Sequence, residues 1–215
     1  MRYSLRAAAL ALSLLALSGC NSLTSDSVNS FRLLLDNDRN KIPAERVNNS
    51  RADTLLISAA GAQGLFIAPA GSSGIIRWRG VTEQLETHNG RMTQLVGMKV
   101  DVLAPLNAED PLARNLLQIS DGTEIVRTVD YPLTYQTGLQ QVATYYRGPL
   151  EVIGQQTYQR IDEHIRMPQI DYKATNYYWV DPATGSVRRS IQNLAPELPA
   201  FDLLFTHQPP RGDQP

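Results

Sequence analysis

The residue types able to do acid–base or nucleophilic work are present in this chain, but they are scattered. His88 falls beside a turn, His164 at a strand end and His207 near the tail, and no two are spaced i, i+4 on a helix as paired metal ligands would be. Asp162-Glu163-His164 brings two carboxylates next to an imidazole. On a strand, Asp162 and His164 share one face and Glu163 points to the other, so the triplet reads as a solvated strand end. Gly71-Ser72-Ser73-Gly74 lacks the strand–turn–helix setting and the spacing of a nucleophile elbow, and reads as a flexible loop. Gly61-Ala62-Gln63-Gly64 lacks the Gly-Lys-Ser/Thr of a phosphate loop. The carboxylate pairs Glu109/Asp110 and Glu83/Glu86 are sequence neighbours, whereas glycosidase chemistry needs carboxyls on opposite sides of a cleft. No catalytic constellation and no metal site are expected.

Cys20 is the chain's single cysteine, and its chemistry is set by what precedes it. Arg2 and Arg6 lead into an apolar and small run from Ala7 to Leu17, the order of a bacterial secretory leader. Eleven such residues reach about 16 Å as a helix against roughly 30 Å of hydrocarbon, too short to span a bilayer. Asn21, Ser22, Thr24 and Asp26 then end the run. The string Leu17-Ser18-Gly19-Cys20 resembles a lipobox. That resemblance implies cleavage before Cys20, a diacylglycerol on its thiol and an acyl group on the new N-terminus; no other cofactor is expected. Asn21 in place of an aspartate implies, by analogy with enterobacterial sorting, an outer-membrane anchor with the domain in the periplasm. Two or more acyl chains suffice for stable anchoring.

Two of the chain's 20 basic residues lie in the leader, so the remainder carries 18 against 21 acids, a net charge of −3. That balance gives no support for nucleic-acid binding, which needs a basic patch or stripe. With Cys20 committed to lipid, the folded part has no disulfide and must be held by packing and strand pairing.

Residues 1–19 therefore read as leader, 20–30 as lipidated cysteine and polar tether, 31–207 as one β-rich domain, and 208–215 as a disordered proline-rich tail. A helix is expected from about Asp26 to Asn40 on the pattern Phe31, Leu33, Leu34, Leu35, and is broken by Pro43. From Thr54 onward short β-branched and aromatic runs alternate with glycine and proline. Asn89-Gly90 predicts a type I′ hairpin between Thr82–His88 and Arg91–Met98. Asp110-Pro111 predicts the start of a short helix ending near Gln118. Gly148-Pro149 predicts a break between strands Leu139–Arg147 and Leu150–Glu163, and Asp181-Pro182-Ala183-Thr184-Gly185 a turn between Asp171–Val180 and Ser186–Asn193. The expected architecture is mainly β: an antiparallel meander curled into an open, incomplete barrel or a sandwich, with an N-terminal helix and one short internal helix.

In the strand ending at Val180, Tyr172, Tyr178 and Val180 share one face, while Lys173, Thr175, Tyr177, Trp179 and Asp181 share the other. Across the hairpin, Arg188 or Arg189 falls near Trp179 or Tyr177. Such a surface suits a sugar polymer, because aromatic rings stack on pyranose faces and arginine donates paired hydrogen bonds to acidic groups. Strands also favour these aromatics, and one of the two faces must form the core.

The string YYWVDPATGSVRRSIQ, Tyr177 to Gln192, together with the lipobox and the strand-rich middle, resembles the YjbF/GfcB family of lipoproteins. The resemblance implies a curled meandering sheet and a role in secretion of exopolysaccharide or group 4 capsule. It supplies no catalytic residues. The function expected is therefore that of a non-enzymatic, membrane-anchored module assisting polysaccharide export or assembly, whose partners are the polymer and the export proteins. A carbohydrate-active enzyme and a lipid or lipoprotein carrier are the rival expectations.

Overall fold

The computed structural model describes residues 53–69, 74–80 and 83–205. The leader, Leu17 to Cys20, the tether, the expected N-terminal helix, Ser72, Ser73 and the tail all lie outside these residues.

Alternating burial over short apolar runs makes the strands. They are β1 (Asp53–Ala59), β2 (Ala62–Ala68), β3 (Ile75–Arg79), β4 (Gln84–His88), β5 (Arg91–Val96) and β6 (Val102–Leu103). After a long connection follow β7 (Thr123–Tyr131), β8 (Gln136–Ile153), β9 (Gln156–Met167), β10 (Tyr172–Val180), β11 (Val187–Gln192) and β12 (Phe201–Phe205). Each strand pairs antiparallel with its sequence neighbour, and β1 pairs with β12 through Leu55↔Phe205 and Ile57↔Leu203. The expected open barrel or sandwich is thus corrected: the meander closes completely into a twelve-stranded barrel. The reason is physical. An unpaired β1 and β12 would each expose a row of backbone donors and acceptors, and closure removes both edges.

Turn chemistry follows the sequence at most corners. Asn89 and Gly90 both take positive φ, 49° and 86°, as a type I′ turn requires. Gly185 takes φ 71° and donates its N–H to the Asp181 carbonyl at 2.8 Å. Two expectations need correction. Gly148-Pro149 does not end a strand: β8 runs through it to Ile153, with a register shift between Arg147 and Leu150. A bulge leaves proline's missing N–H without a ladder partner to lose, and the actual turn uses Gly154 at φ 65°. The internal helix is instead two 3₁₀ turns, Pro111–Ala113 and Leu116–Gln118. Asp110 caps the first by accepting from the Leu112 N–H at 2.9 Å, and Asn115 starts the second by accepting from Leu117.

The connection carrying these turns folds over one end of the barrel. Asn89 Nδ2 donates to the Leu112 carbonyl at 2.6 Å, Arg147 Nη2 donates to that of Leu117 at 2.6 Å, and Gly185 packs against Asn115. Leu112 and Leu116 are buried beneath it. The interior is occupied by side chains, with Trp78, Arg91, Tyr131, Tyr145, Tyr178, Phe201 and Phe205 among the largest that are fully buried. Polar and charged groups stand on the outer wall, where Arg77 and Glu86 pair across β3–β4 and Thr144, His164, Arg166 and Lys173 line β8–β10, beside exposed apolar side chains such as Ile67, Ile75, Val126, Leu150 and Val152.

Candidate functional site

Two groups of polar side chains stand out, one inside the barrel and one on its wall. The interior group is built by three consecutive strands that each place one polar residue in an apolar row. Arg127 stands among Ile125, Val129 and Tyr131 on β7, Gln141 among Leu139, Ala143 and Tyr145 on β8, and Glu163 among Ile161, Ile165 and Met167 on β9. Arg91 enters from β5, and Asn176 and Tyr178 from β10.

Glu163 is the hub. Its Oε1 accepts from Arg127 Nη1 at 2.5 Å, and its Oε2 accepts from Arg91 Nη1 at 3.0 Å, Asn176 Nδ2 at 2.8 Å and the Tyr178 hydroxyl at 2.8 Å. Arg127 also pairs with Asp110 through Nε, and both side chains are fully buried. The Tyr145 hydroxyl lies 3.2 Å from Asp110 Oδ1 and 3.1 Å from Glu163 Oε1, and accepts from Arg127 Nη2. Gln141 Oε1 accepts from both arginines, at 2.9 and 3.1 Å.

Two guanidiniums therefore face two carboxylates, and the cluster is neutral overall. Burial pushes the Glu163 carboxyl up, but the charges of Arg127 and Arg91, with hydrogen bonds from Asn176 and Arg127, outweigh burial and hold it down at about 2. Burial, reinforced by Glu163, pushes the Tyr145 and Tyr178 phenols well above their ordinary value. A carboxylate saturated by five donors, in a site without solvent access, has no lone pair to offer a substrate. What the cluster does is lock β5, β7, β8, β9, β10 and the end-capping connection to one another. Glu163 was read from sequence as part of a solvated strand end. Its outward neighbours Asp162 and His164 do face away from the interior, while Glu163 itself is buried. The period-2 placement of Arg127, Gln141 and Glu163 among apolar residues is the signal that could have revealed the cluster.

The second group lies on the outer face of β8–β11. Cross-strand register arranges it in rungs: Thr144, His164 and Thr175; Tyr146, Asp162 and Tyr177; and Arg160, Trp179 and Arg189. The structure thus brings Tyr177, Trp179 and Arg189 together, as the sequence suggested. Arg189 stands opposite Trp179 with its guanidinium 4.9 Å from the ring centroid, and Asp202 receives two hydrogen bonds from it, at 2.8 and 2.6 Å. Arg160 lies 5.4 Å from the Tyr177 ring and is paired with Glu151 at 2.5 Å and Asp162 at 2.7 Å. Trp179 Nε1 donates to Glu151 Oε2 at 2.7 Å. Trp179 is left only 6% exposed, its face already covered by arginine. Arg188 sits at the register shift and donates to the Phe205 carbonyl, away from Trp179.

Farther along the same wall the rungs open. Thr144, His164, Arg166, Lys173 and Thr175 line a shallow groove of about 420 Å³. Tyr146 adjoins its His164, the two ring centroids 4.9 Å apart.

Among the described residues, then, the fold is a closed antiparallel barrel whose inward side chains pack into a core and whose outer wall over β8–β11 carries charged groups. Residues 22–205 match the family described as group 4 capsule polysaccharide lipoprotein GfcB, YjbF, and the chain belongs to that family. It is 25% identical over 209 residues to an uncharacterized lipoprotein, GfcB, of Escherichia coli K12, covering 91% of this chain and 95% of the relative. Its fold is similar to the crystal structure of the hypothetical lipoprotein YmcC of Escherichia coli K12. The TM-score is 0.68 at 21% identity, covering 90% of this chain and 99% of the other.

Proposed function

We propose that this chain is a non-catalytic binding or docking module, anchored to the outer membrane through acylated Cys20, that assists export or assembly of a capsular or extracellular polysaccharide. Family membership supports the capsule connection. The observation that carries the mode of action is the occupied interior. Trp78, Tyr131, Tyr145, Tyr178, Phe201 and Phe205 fill the space that a carrier would keep for acyl chains. Of the buried carboxylates, Glu163 is held by Arg91 and Arg127, and Asp110 by Arg127, both inside the barrel. Work is left to the outer wall, where the rungs of β8–β11 present aromatic, hydroxyl and cationic groups along a line.

Deleting the gene and measuring extracellular polysaccharide tests the reading. The expected result is a marked fall in polymer, with purified chain leaving the polymer's length and substituents unchanged on incubation. Unchanged output under conditions where the polymer is made would overturn it, and shortened or trimmed polymer would replace it with an enzyme.

A further inference from the structure

Resting on that reading, we infer that the groove lined by Thr144, His164, Arg166, Lys173 and Thr175 is a binding site for a linear polysaccharide bearing carboxylates. The rungs chosen from sequence around Trp179 are internally paired: Arg160 and Arg189 are neutralised by Glu151, Asp162 and Asp202, and Trp179 is covered. The groove differs in each respect. Arg166, Lys173 and His164 are exposed, and among the described residues Lys173 has no ion-pair partner. Among the described residues the carboxylate paired with the groove is Glu124, 3.3 Å from Arg166 in a half-exposed pair. Such pairs contribute at most about 1 kcal/mol, so an incoming carboxylate can displace Glu124 at little cost. The groove therefore carries a surplus of positive charge on a chain that is negative overall.

Its other groups fit a sugar. Thr144 and Thr175 flank His164 in one rung and offer hydroxyls that both donate and accept. Tyr146, 39% exposed, presents a ring to the apolar face of a pyranose, and Tyr177 lies beyond it in the same rung. Rungs two residues apart along a strand lie about 7 Å from each other, and the groove is shallow and open to solvent. That shape admits a chain running through in place of a small molecule held at its end.

The test uses the acylated full chain in detergent micelles, with galacturonate oligomers as probe. Dextran oligomers of equal length and inorganic polyphosphate of matching charge are the comparisons. Native chain should bind the galacturonate oligomers and leave dextran unbound. Arg166→Glu combined with Lys173→Glu, both exposed on the wall, should weaken that binding about tenfold or more while leaving the melting temperature in place. Tyr146→Ala should weaken galacturonate binding severalfold without altering any residual binding of polyphosphate. Equal affinity for dextran, equal affinity for polyphosphate, or an undiminished double variant would each overturn the assignment. Because the loss of secreted polymer on gene deletion is a separate measurement, the groove can fail while the broader function stands.

Discussion

Arg91 on β5 and Glu163 on β9 meet at 3.0 Å inside the barrel, joining strands that lie four apart around the wall and 72 residues apart in sequence. Because Arg127 holds the same carboxylate, Glu163→Gln would strand two buried guanidiniums with only Asp110 to balance them. The expected loss is about 3–5 kcal/mol of unfolding free energy, read from urea titration. A loss below about 1 kcal/mol would mean that the cluster is incidental to the barrel.

Glu163 also sets the acid side of the stability profile. Its carboxyl is held at about 2, below its ordinary value of 4.5. A depressed carboxyl contributes stability that is complete above the unfolded value and is lost as pH falls toward the folded one. Urea midpoints should therefore be level above about pH 5 and fall steadily toward pH 2, with a weaker fall in Glu163→Gln. On the alkaline side, burial pushes the phenols of Tyr145 and Tyr178 up, so their contribution is complete below about pH 10 and is lost as pH rises beyond it. A profile flat from pH 5 to 2.5 would contradict the acid assignment.

Gly90 is fixed by two independent constraints. Its φ is +86°, and a Cβ added there would lie 2.4 Å from Val187 Cβ on β11. Gly154 shares the positive φ, at +65°, but a Cβ there would meet nothing within 4 Å. Gly154→Ala should cost about 1 kcal/mol, and Gly90→Ala several kcal/mol, since neither neighbouring backbone can yield without disturbing the barrel end. Thermal melts of the two variants give the comparison; equal shifts would refute the close contact.

Trp179 separates structure from binding on the outer wall. Its ring is 6% exposed, stacked against Arg189 and hydrogen-bonded to Glu151. Trp179→Ala should cost about 3–5 kcal/mol in unfolding and leave the affinity of the folded fraction for galacturonate oligomers unchanged. Unchanged stability with lost binding would restore Trp179 as a sugar platform.

Strands and turns were legible because they are encoded locally. Thr123–Tyr131, Ile75–Arg79 and Phe201–Phe205 follow from short apolar alternation, and Asn89-Gly90 and Gly185 from the need for positive φ. Gly148-Pro149 misled because glycine and proline mark bulges as well as turns, and only pairing with β9 distinguishes the two. Closure was illegible for a similar reason: Ile57↔Leu203 joins the two ends of the domain, and nothing near either residue specifies it. Glu163 looked like a surface acid because the arginines that hold it lie 36 and 72 residues away. The alternation of Tyr178 and Trp179 onto opposite faces was legible, but which face forms the core was not. That the arginines and carboxylates around Trp179 would pair with one another depends on cross-strand register, so the open groove two rungs away had no local signal.

The central claim is that the outer wall, not the interior, handles the polymer. It is tested most directly by extracellular polysaccharide in a deletion strain supplied with either the native chain or the Arg166→Glu, Lys173→Glu double variant at equal level. The account predicts that native chain restores output and that the folded, membrane-anchored double variant does not. Full restoration by the double variant would contradict it.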